Sequence, residues 1–313
     1  MTTLTLATFN CENLFARYKF NKKVPEEEAF KNGWLANQTH FHEFNKDETR
    51  LTAAALKETK ADVIALQEVE SNGTLRTFRS RYLGGRKKYR EYLVIDGNDY
   101  LRLIDVGILS SFHIENIRTH MHDMNEQTKK LVFSRDCLEC DIVLPDNKRL
   151  TLFINHFKSM YNPPDPCNGR AKTHDKRVIQ ANKVKEIVQA RFPNGNGDFV
   201  ILGDLNDYMD SNSSITDLVN WNKVENVVNR LPSEERWTQY WEGNKKCHLD
   251  ETYHQLDYIL LSKSLAEKNA DAIPTIMRKG LPKKAKLYKG PWLKGLGNKA
   301  ASDHCPVAIK LSI

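Results

Sequence analysis

An α/β fold with two packed layers of β-sheet and outer helices is predicted for this chain on three observations. Apolar, β-branched runs of strand length recur from end to end. Amphipathic helical stretches sit between several of them, and no internal repeat or low-complexity linker divides the 313 residues. The strand-like runs are LTLATF, DVIALQ, YLVI, VGILSS, CDIVL, RLTLFIN, FVILG, LDYILL and CPVAIKLSI, bounded by polar or glycine-containing turns. Of the helical stretches, DETRLTAAALKETK is rich in Ala and Leu, with Asp47 placed to cap it. THDKRVIQANKVKEIVQARF sets Val178, Ala181, Val184 and Val188 along one face and stops before Pro193 and Gly195. Three segments read as irregular: 17–46, 160–173 and 278–300. Loops of that length in a compact domain are as a rule functional or disordered. The expectation is one domain over 1–313 with elaborated loops.

Composition narrows the function classes. Hydrophobic residues make up 40% and charged residues 28%, ordinary values for a soluble globular chain. No apolar run approaches the ~18–20 residues of a membrane helix. The opening MTTLTLATFN passes straight into strand alternation without the features of a secretory leader, so a cytoplasmic location is expected. Cys11, Cys137, Cys140, Cys167, Cys247 and Cys305 are scattered, which suits a reducing compartment better than a disulfide framework. The pair in CLEC lies in a strand pattern, where residues three apart face opposite ways, so no zinc site is expected there.

The net charge of +7 is unevenly spread. Arg278 to Lys299 holds eight basic residues and no acid; RTFRSRYLGGRKKYR, residues 76–90, holds seven. Interleaved Tyr82, Tyr89, Tyr288 and Trp292 suit a polyanion with stackable bases, the plain alternative being a solvated surface. The first run leads into Ser302, Asp303 and His304, and the second begins just after Glu68. Both are therefore expected to flank one site.

Polar side chains recur at strand ends. TLATFNCEN ends in Asn10, Glu12 and Asn13, DVIALQE in Glu68, and TLFINHFKS in His156 and Lys158. FVILGDLND ends in Asp204, Asn206 and Asp207, HQLDYIL carries Asp257, and SDHCPVAI opens with Asp303 and His304. One such residue is usually a turn or cap; six sets fit a shared rim. Carboxylates such as Glu68 and Asp303 suit hard Mg²⁺ or Mn²⁺. Two imidazoles and a lysine suit the charge growing on a phosphorane, Asp204 the attacking water, and Asp257 the fixing of a histidine tautomer.

Taken in order, TFNCENLF, ALQEV, NHFKS, GDLND, LDYIL and SDHCPV resemble the endonuclease/exonuclease/phosphatase superfamily, also called deoxyribonuclease-I-like, over residues 8 to 307. The resemblance implies a four-layer sandwich, two mixed β-sheets flanked by helices. It implies Asn10, Glu68 and Asp303 at an Mg²⁺ or Mn²⁺ ion, and His156 at the scissile phosphate or leaving group. Asp204 and Asn206 would position the nucleophile, and Asp257 would orient His304, which acts as base or transition-state donor. NCEN has one residue more than the commoner N-x-N, which leaves open whether Glu12 or Asn13 reaches the metal. Asn13, Lys158 and Arg177, with Lys283, Lys284 and Lys286, are expected on the substrate side.

The expected function is a metal-dependent phosphodiesterase, a nuclease on DNA or RNA, with nucleic acid as partner and no obligate protein partner visible. One alternative is a lipid or small phosphate ester as substrate; GWLANQTHFHEF, residues 33–44, is the one segment that could touch a membrane, and it reads as a cover for the sheet edge. A second alternative is an inactive nucleic-acid-binding relative. The chain contains no G-x-x-x-x-G-K-[ST], H-E-x-x-H or G-x-S-x-G motif.

Overall fold

The structure, a computed structural model describing residues 2–41 and 46–313, has six strands at its centre. They are β1 (Thr3–Leu14), β2 (Val63–Val69), β3 (Arg149–His156), β4 (Phe199–Asp204), β5 (Asp257–Ser262) and β6 (Val307–Ser312). In one six-stranded sheet β1 pairs antiparallel with β6 and parallel with β2. In the other, β4 pairs parallel with β3 and antiparallel with β5. Thr275–Ile276, Asp105–Ser110 and Glu91–Ile95 complete the first sheet; Val224–Asn226, Cys137–Val143 and His113–Arg118 complete the second.

Strand alternation sorts the core into layers. Leu4 and Leu6 of β1, Leu152 and Ile154 of β3, and Val200 and Leu202 of β4 meet between the sheets. Their neighbours turn outward: Ala7 and Phe9 pack with Ala53 and Leu56 of helix α1 (Lys46–Glu58) and Leu75 and Phe78 of α2 (Asn72–Tyr82). Phe153, Phe199 and Ile201 pack with Ala181, Val184 and Val188 of α3 (His174–Arg191). Burying each such side chain is worth roughly 1.5–3 kcal/mol, so the alternating pattern alone accounts for helix, sheet, sheet, helix. This is the predicted four-layer architecture. Cys137 and Cys140 fall in different core layers, one on each face of their strand.

Several expectations need correction. Asp47 is not a cap but lies in the first turn of α1, where an acid favours the helix dipole. Segment 17–46 is not a bare loop. Ala16–Phe20 and Ala36–Phe41 pair as a separate ribbon around a helix at Glu26–Asn32, while 42–45 lie outside the described residues. Nor does the part of 33–44 that is described cover a sheet edge: Trp34 and Leu35 are exposed, with Phe20 and Phe30 against the Trp34 ring.

Cys167 and Cys247, 80 residues apart, form a disulfide, contrary to the reading of all six cysteines as reduced. Their loops are brought together because both border the same cleft. Cys11, Cys137, Cys140 and Cys305 are free and buried. Among the described residues no helix is long and apolar enough to cross a membrane.

Candidate active site

Strand register assembles the polar residues. Asp204 at the end of β4 is paired with His156 of β3 on one side and Asp257 of β5 on the other. The three follow the inward-facing positions of their strands, so all point toward the first sheet. Gly203 makes this possible: a Cβ there would collide with the Asn155 carbonyl. From the first sheet, Asn10 continues the inward series Leu4, Leu6, Thr8. Its Nδ2 donates to Asp204 Oδ2 at 2.9 Å. The two sheets thus touch, polar group to polar group, at the end of a cleft of about 640 Å³.

Glu68 reaches the cleft by breaking the alternation. Val63 and Ala65 face inward and Leu66 outward, so a regular strand would send Glu68 toward the helices. Instead it adopts φ 61°, the β1–β2 register shifts beside it, and Glu68 lines the cleft. Bulges re-aim side chains in this way. Glu12, Asn13 and Asn206 also have positive φ, and the Asn13 N–H donates to Glu68 Oε2 at 3.0 Å. Such backbone costs of order 1–3 kcal/mol per residue and collects at functional sites.

The two imidazoles are in opposite states. His304 Nδ1 lies 2.9 Å from Asp257 Oδ2. Burial alone would favour neutral His304, but Asp257, Asp303 and Asp204 outweigh it and hold the ring protonated well past its usual range. Asp257 is fully buried and fixed by the Thr238 hydroxyl, which donates to it at 2.7 Å. His156 is pushed far down by burial, then by Arg135, Arg102 and His304, and is neutral. Between them Asp204 accepts from Asn10 and from both the side chain and backbone N–H of Asn206. Burial raises its proton affinity, partly offset by His304. Its Oδ2 is 3.6 Å from His156 Nε2 and 3.9 Å from His304 Nε2.

Among the described residues no three His, Cys, Asp or Glu side chains form a ready metal cage. Mg²⁺ needs no such cage, since it keeps several waters and takes one or two carboxylates. The test is electrostatic. Glu12 is raised to about 8 by burial and by Asp303 and Glu68, so these carboxylates crowd one another. A hard divalent cation relieves that crowding, and the oxygen donors fit it. Asp303 is steadied by Gln239 Nε2 at 2.9 Å, and its N–H donates to Glu12 Oε2 at 2.9 Å. Asn10 Oδ1 already accepts the Glu12 N–H, leaving one lone pair for a ligand.

Not every expected residue lies in the cleft. Arg177 is fully buried, and its guanidinium donates to Ser214, Thr173 and the Arg170 carbonyl, with Asp207 at 3.4 Å. It braces the loop after Asp204 and presents nothing to a substrate. Lys283, Lys284 and Lys286 are exposed but do not border the cleft. Leu281 and Ala285 anchor their segment in the core, and Lys284 pairs with Glu242. The ribbon Gln239–Trp241 with Thr252–His254 intervenes: Gln239, Trp241, Thr252 and His254 face the cleft, whereas the Tyr253 hydroxyl accepts the Leu287 N–H. The 76–90 run also leads away. Arg79 is buried on the Tyr89 and Arg90 carbonyls, and Lys88 reaches Asp62, which precedes β2. Six residues of strand separate Asp62 from Glu68, roughly 20 Å.

Other residues escaped the sequence reading. Arg102 borders the cleft and carries no ion pair among the described residues. Tyr208 stacks on His254 at 3.7 Å, with the Arg170 guanidinium 3.7 Å above its other face. Nothing in the sequence near Arg102 or Tyr208 distinguishes them from surface residues. Lys158 lies beside the cleft, its Nζ donating to the Ser159 and Tyr161 carbonyls.

Comparison with known proteins agrees with this fold. No curated protein matches the sequence. Among solved structures, the fold resembles D. rerio TDP2 complexed with a single-strand DNA product, at 15% identity, TM-score 0.59 and coverage of 100% of both chains. It equally resembles a Bacteroides thetaiotaomicron mannosyl-6-phosphatase, at 15% identity and TM-score 0.59, covering 99% of this chain and 100% of that one. Truncated Caenorhabditis elegans TDP2 follows at 15% identity and TM-score 0.57, covering 99% and 98%. At these identities the likeness is one of fold. A family model described as Endonuclease/Exonuclease/phosphatase family matches residues 5–311, nearly the whole sequence. The chain therefore belongs to the endonuclease/exonuclease/phosphatase family.

Proposed function

We propose that the chain is a divalent-metal-dependent phosphodiesterase acting on nucleic acid, a nuclease on DNA or RNA. The observation that carries this reading is the convergence of Asn10, Glu68, His156, Asp204, Asp303 and His304 from both sheets on one cleft. Charged His304, held by Asp257, is suited to donate to a non-bridging phosphoryl oxygen as charge grows there. It suits a donor better than a base, because Asp257, Asp303 and Asp204 favour its protonated form. Asp204, fixed on three sides and raised in proton affinity, is suited to orient the attacking water and take its proton. Neutral His156 contacts the phosphate without adding charge. Mg²⁺ or Mn²⁺ would be held by Glu68 and Asp303 with Glu12 and Asn10 beside them, supplying Lewis-acid neutralisation of the phosphoryl oxygens.

Phosphomonoester hydrolysis is the second reading, because the two basic runs do not line the cleft and a small ester needs neither. The Cys167–Cys247 bond favours an oxidising compartment over the cytoplasm expected from the sequence, since cytosolic thiol buffers keep cysteines reduced. A substrate panel with Mg²⁺ and Mn²⁺ tests the reading: plasmid DNA, single-stranded DNA, RNA, a model diester, a phospholipid and a sugar phosphate, with Asp204→Ala as blank. Cleavage of nucleic acid that stops in EDTA and returns with metal is expected. Cleavage of the monoester alone, or turnover in rigorously metal-free buffer, overturns it.

A further inference from the structure

A second cavity, of about 580 Å³, adjoins the catalytic cleft and shares Arg102 and Tyr161 with it. Its walls carry Arg102, Arg135, Lys158 and Lys176 against a single acid, Asp99. Asp99 is used by Arg135, at 3.3 Å. Arg135 is only 2% exposed; one Nη1 donates to the Phe157 carbonyl, and its buried Nε has no acceptor. Among the described residues the Lys158 and Lys176 ammoniums bond to backbone carbonyls alone, those of Ser159 and Tyr161 and that of Leu131. The Arg102 N–H donates to Asp99 Oδ1 at 3.3 Å, while its guanidinium makes no ion pair among the described residues.

Like charges gathered in a half-buried space repel one another, and burial sharpens the cost. Lys158 is pushed down to about 8 by burial and by Arg135, Arg102 and Arg177. A fold gains nothing from such crowding unless an anion enters. A buried guanidinium N–H without a partner is a cost to the fold, and an anion beside the Arg135 charge offsets it. Phosphate oxygens suit this set: the Arg102 guanidinium offers a forked donor, two ammoniums add point charges, and buried Arg135 adds positive charge behind them.

We infer that this cavity is a second phosphate subsite, which holds another phosphate of the same substrate while the cleft holds the one cleaved. The inference rests on the phosphodiesterase reading of the cleft and narrows its substrate class to molecules carrying at least two phosphates. That second phosphate comes either from a nucleic-acid backbone or from a terminal phosphomonoester on a small molecule. In both cases Arg102 stands between the two anions.

The test uses Lys176, which faces the second cavity and not the cleft. Thymidine 5′-(p-nitrophenyl phosphate), its 3′-phosphorylated form and thymidine oligonucleotides with two and three diesters are compared with wild type, Lys176→Glu and Lys176→Arg. KM for substrates with two or more phosphates should rise about tenfold in Lys176→Glu and recover in Lys176→Arg. KM for the single-phosphate ester and every kcat should stay put. A rise for oligonucleotides alone assigns the second phosphate to a strand, and a rise for the 3′-phosphorylated ester as well assigns it to any second phosphate. Equal KM changes for single- and two-phosphate substrates, or none, overturn the subsite while leaving the hydrolase intact. Should wild type cleave none of them, anisotropy of a labelled thymidine tetranucleotide still decides. About tenfold weaker binding to Lys176→Glu keeps the subsite and discards the hydrolase reading, whereas unchanged binding discards both.

Discussion

Asp257→Asn isolates the positioning of His304. The substitution keeps shape and volume but removes the negative charge 2.9 Å from His304 Nδ1, in a place with no solvent exposure. Asp257 is the foremost of the groups that hold His304 protonated against burial. With it neutral, only Asp303 and Asp204 oppose burial, and the ring gives up its proton at lower pH than in the wild type. The amide can also offer its NH₂ to Nδ1, which fixes the wrong tautomer. Loss of one fixed donor to a developing oxyanion costs ~10²–10³ in kcat, so that fall is expected with KM within about threefold. The alkaline limb of the kcat profile should move to lower pH, because a group active in its protonated form now deprotonates earlier. Steady-state kinetics from pH 5 to 10 on a model diester, beside a thermal melt, are the assay. Wild-type kcat with an unmoved alkaline limb in a folded variant would refute the role given to His304. A lost melt with normal kcat would reduce Asp257 to scaffolding.

Three further outcomes follow from other contacts. Arg177→Met should lower stability by roughly 1–3 kcal/mol in urea unfolding, since Asp207 loses its buried guanidinium while keeping Arg170 and Ser214; a raised KM with an unchanged melt would restore Arg177 to the substrate side. Paired Cys167→Ser and Cys247→Ser should cost about 2–4 kcal/mol and raise KM, because both loops border the cleft; equal stability of the oxidised wild type and the double variant would mean that the bond does not form. Oligonucleotide binding should weaken between pH 7 and 9: Lys158 sits at about 8 in the fold, so its positive charge is present below that pH and lost above it. Lys158→Gln should flatten that dependence, and a slope as steep as wild type in the variant would assign it elsewhere.

Local patterning reaches far into this molecule and then stops. LTLATF, FVILG and LDYILL became β1, β4 and β5 because alternation and β-branching are properties of the strand itself. Asn10, His156, Asp204 and Asp257 were legible as a group because each extends the inward series of its own strand. Glu68 was found by motif, yet its route into the cleft depends on a left-handed backbone that a glutamate does not announce. Arg177 was misassigned because a run of letters cannot separate a buried arginine facing Asp207 from an exposed one. The basic stretch ending in Lys299 is near Asp303 along the chain, but the Gln239–Trp241 ribbon intervenes. The Cys167–Cys247 bond joins loops 80 residues apart, a distance over which no local pattern speaks.

Glu12, Asn13, Glu68 and Asn206 share a backbone region that suits glycine better. Part of any gain in heat tolerance is therefore available where reactivity is concentrated, since glycine there removes steric conflict. A screen for thermal survival without selection for turnover should enrich Gly at these positions and return hardy, inert protein. Strained backbone and chemistry coincide at these four residues, whereas at Lys60, Asn116, Lys129 and Asn147 the same backbone region carries no part of the site.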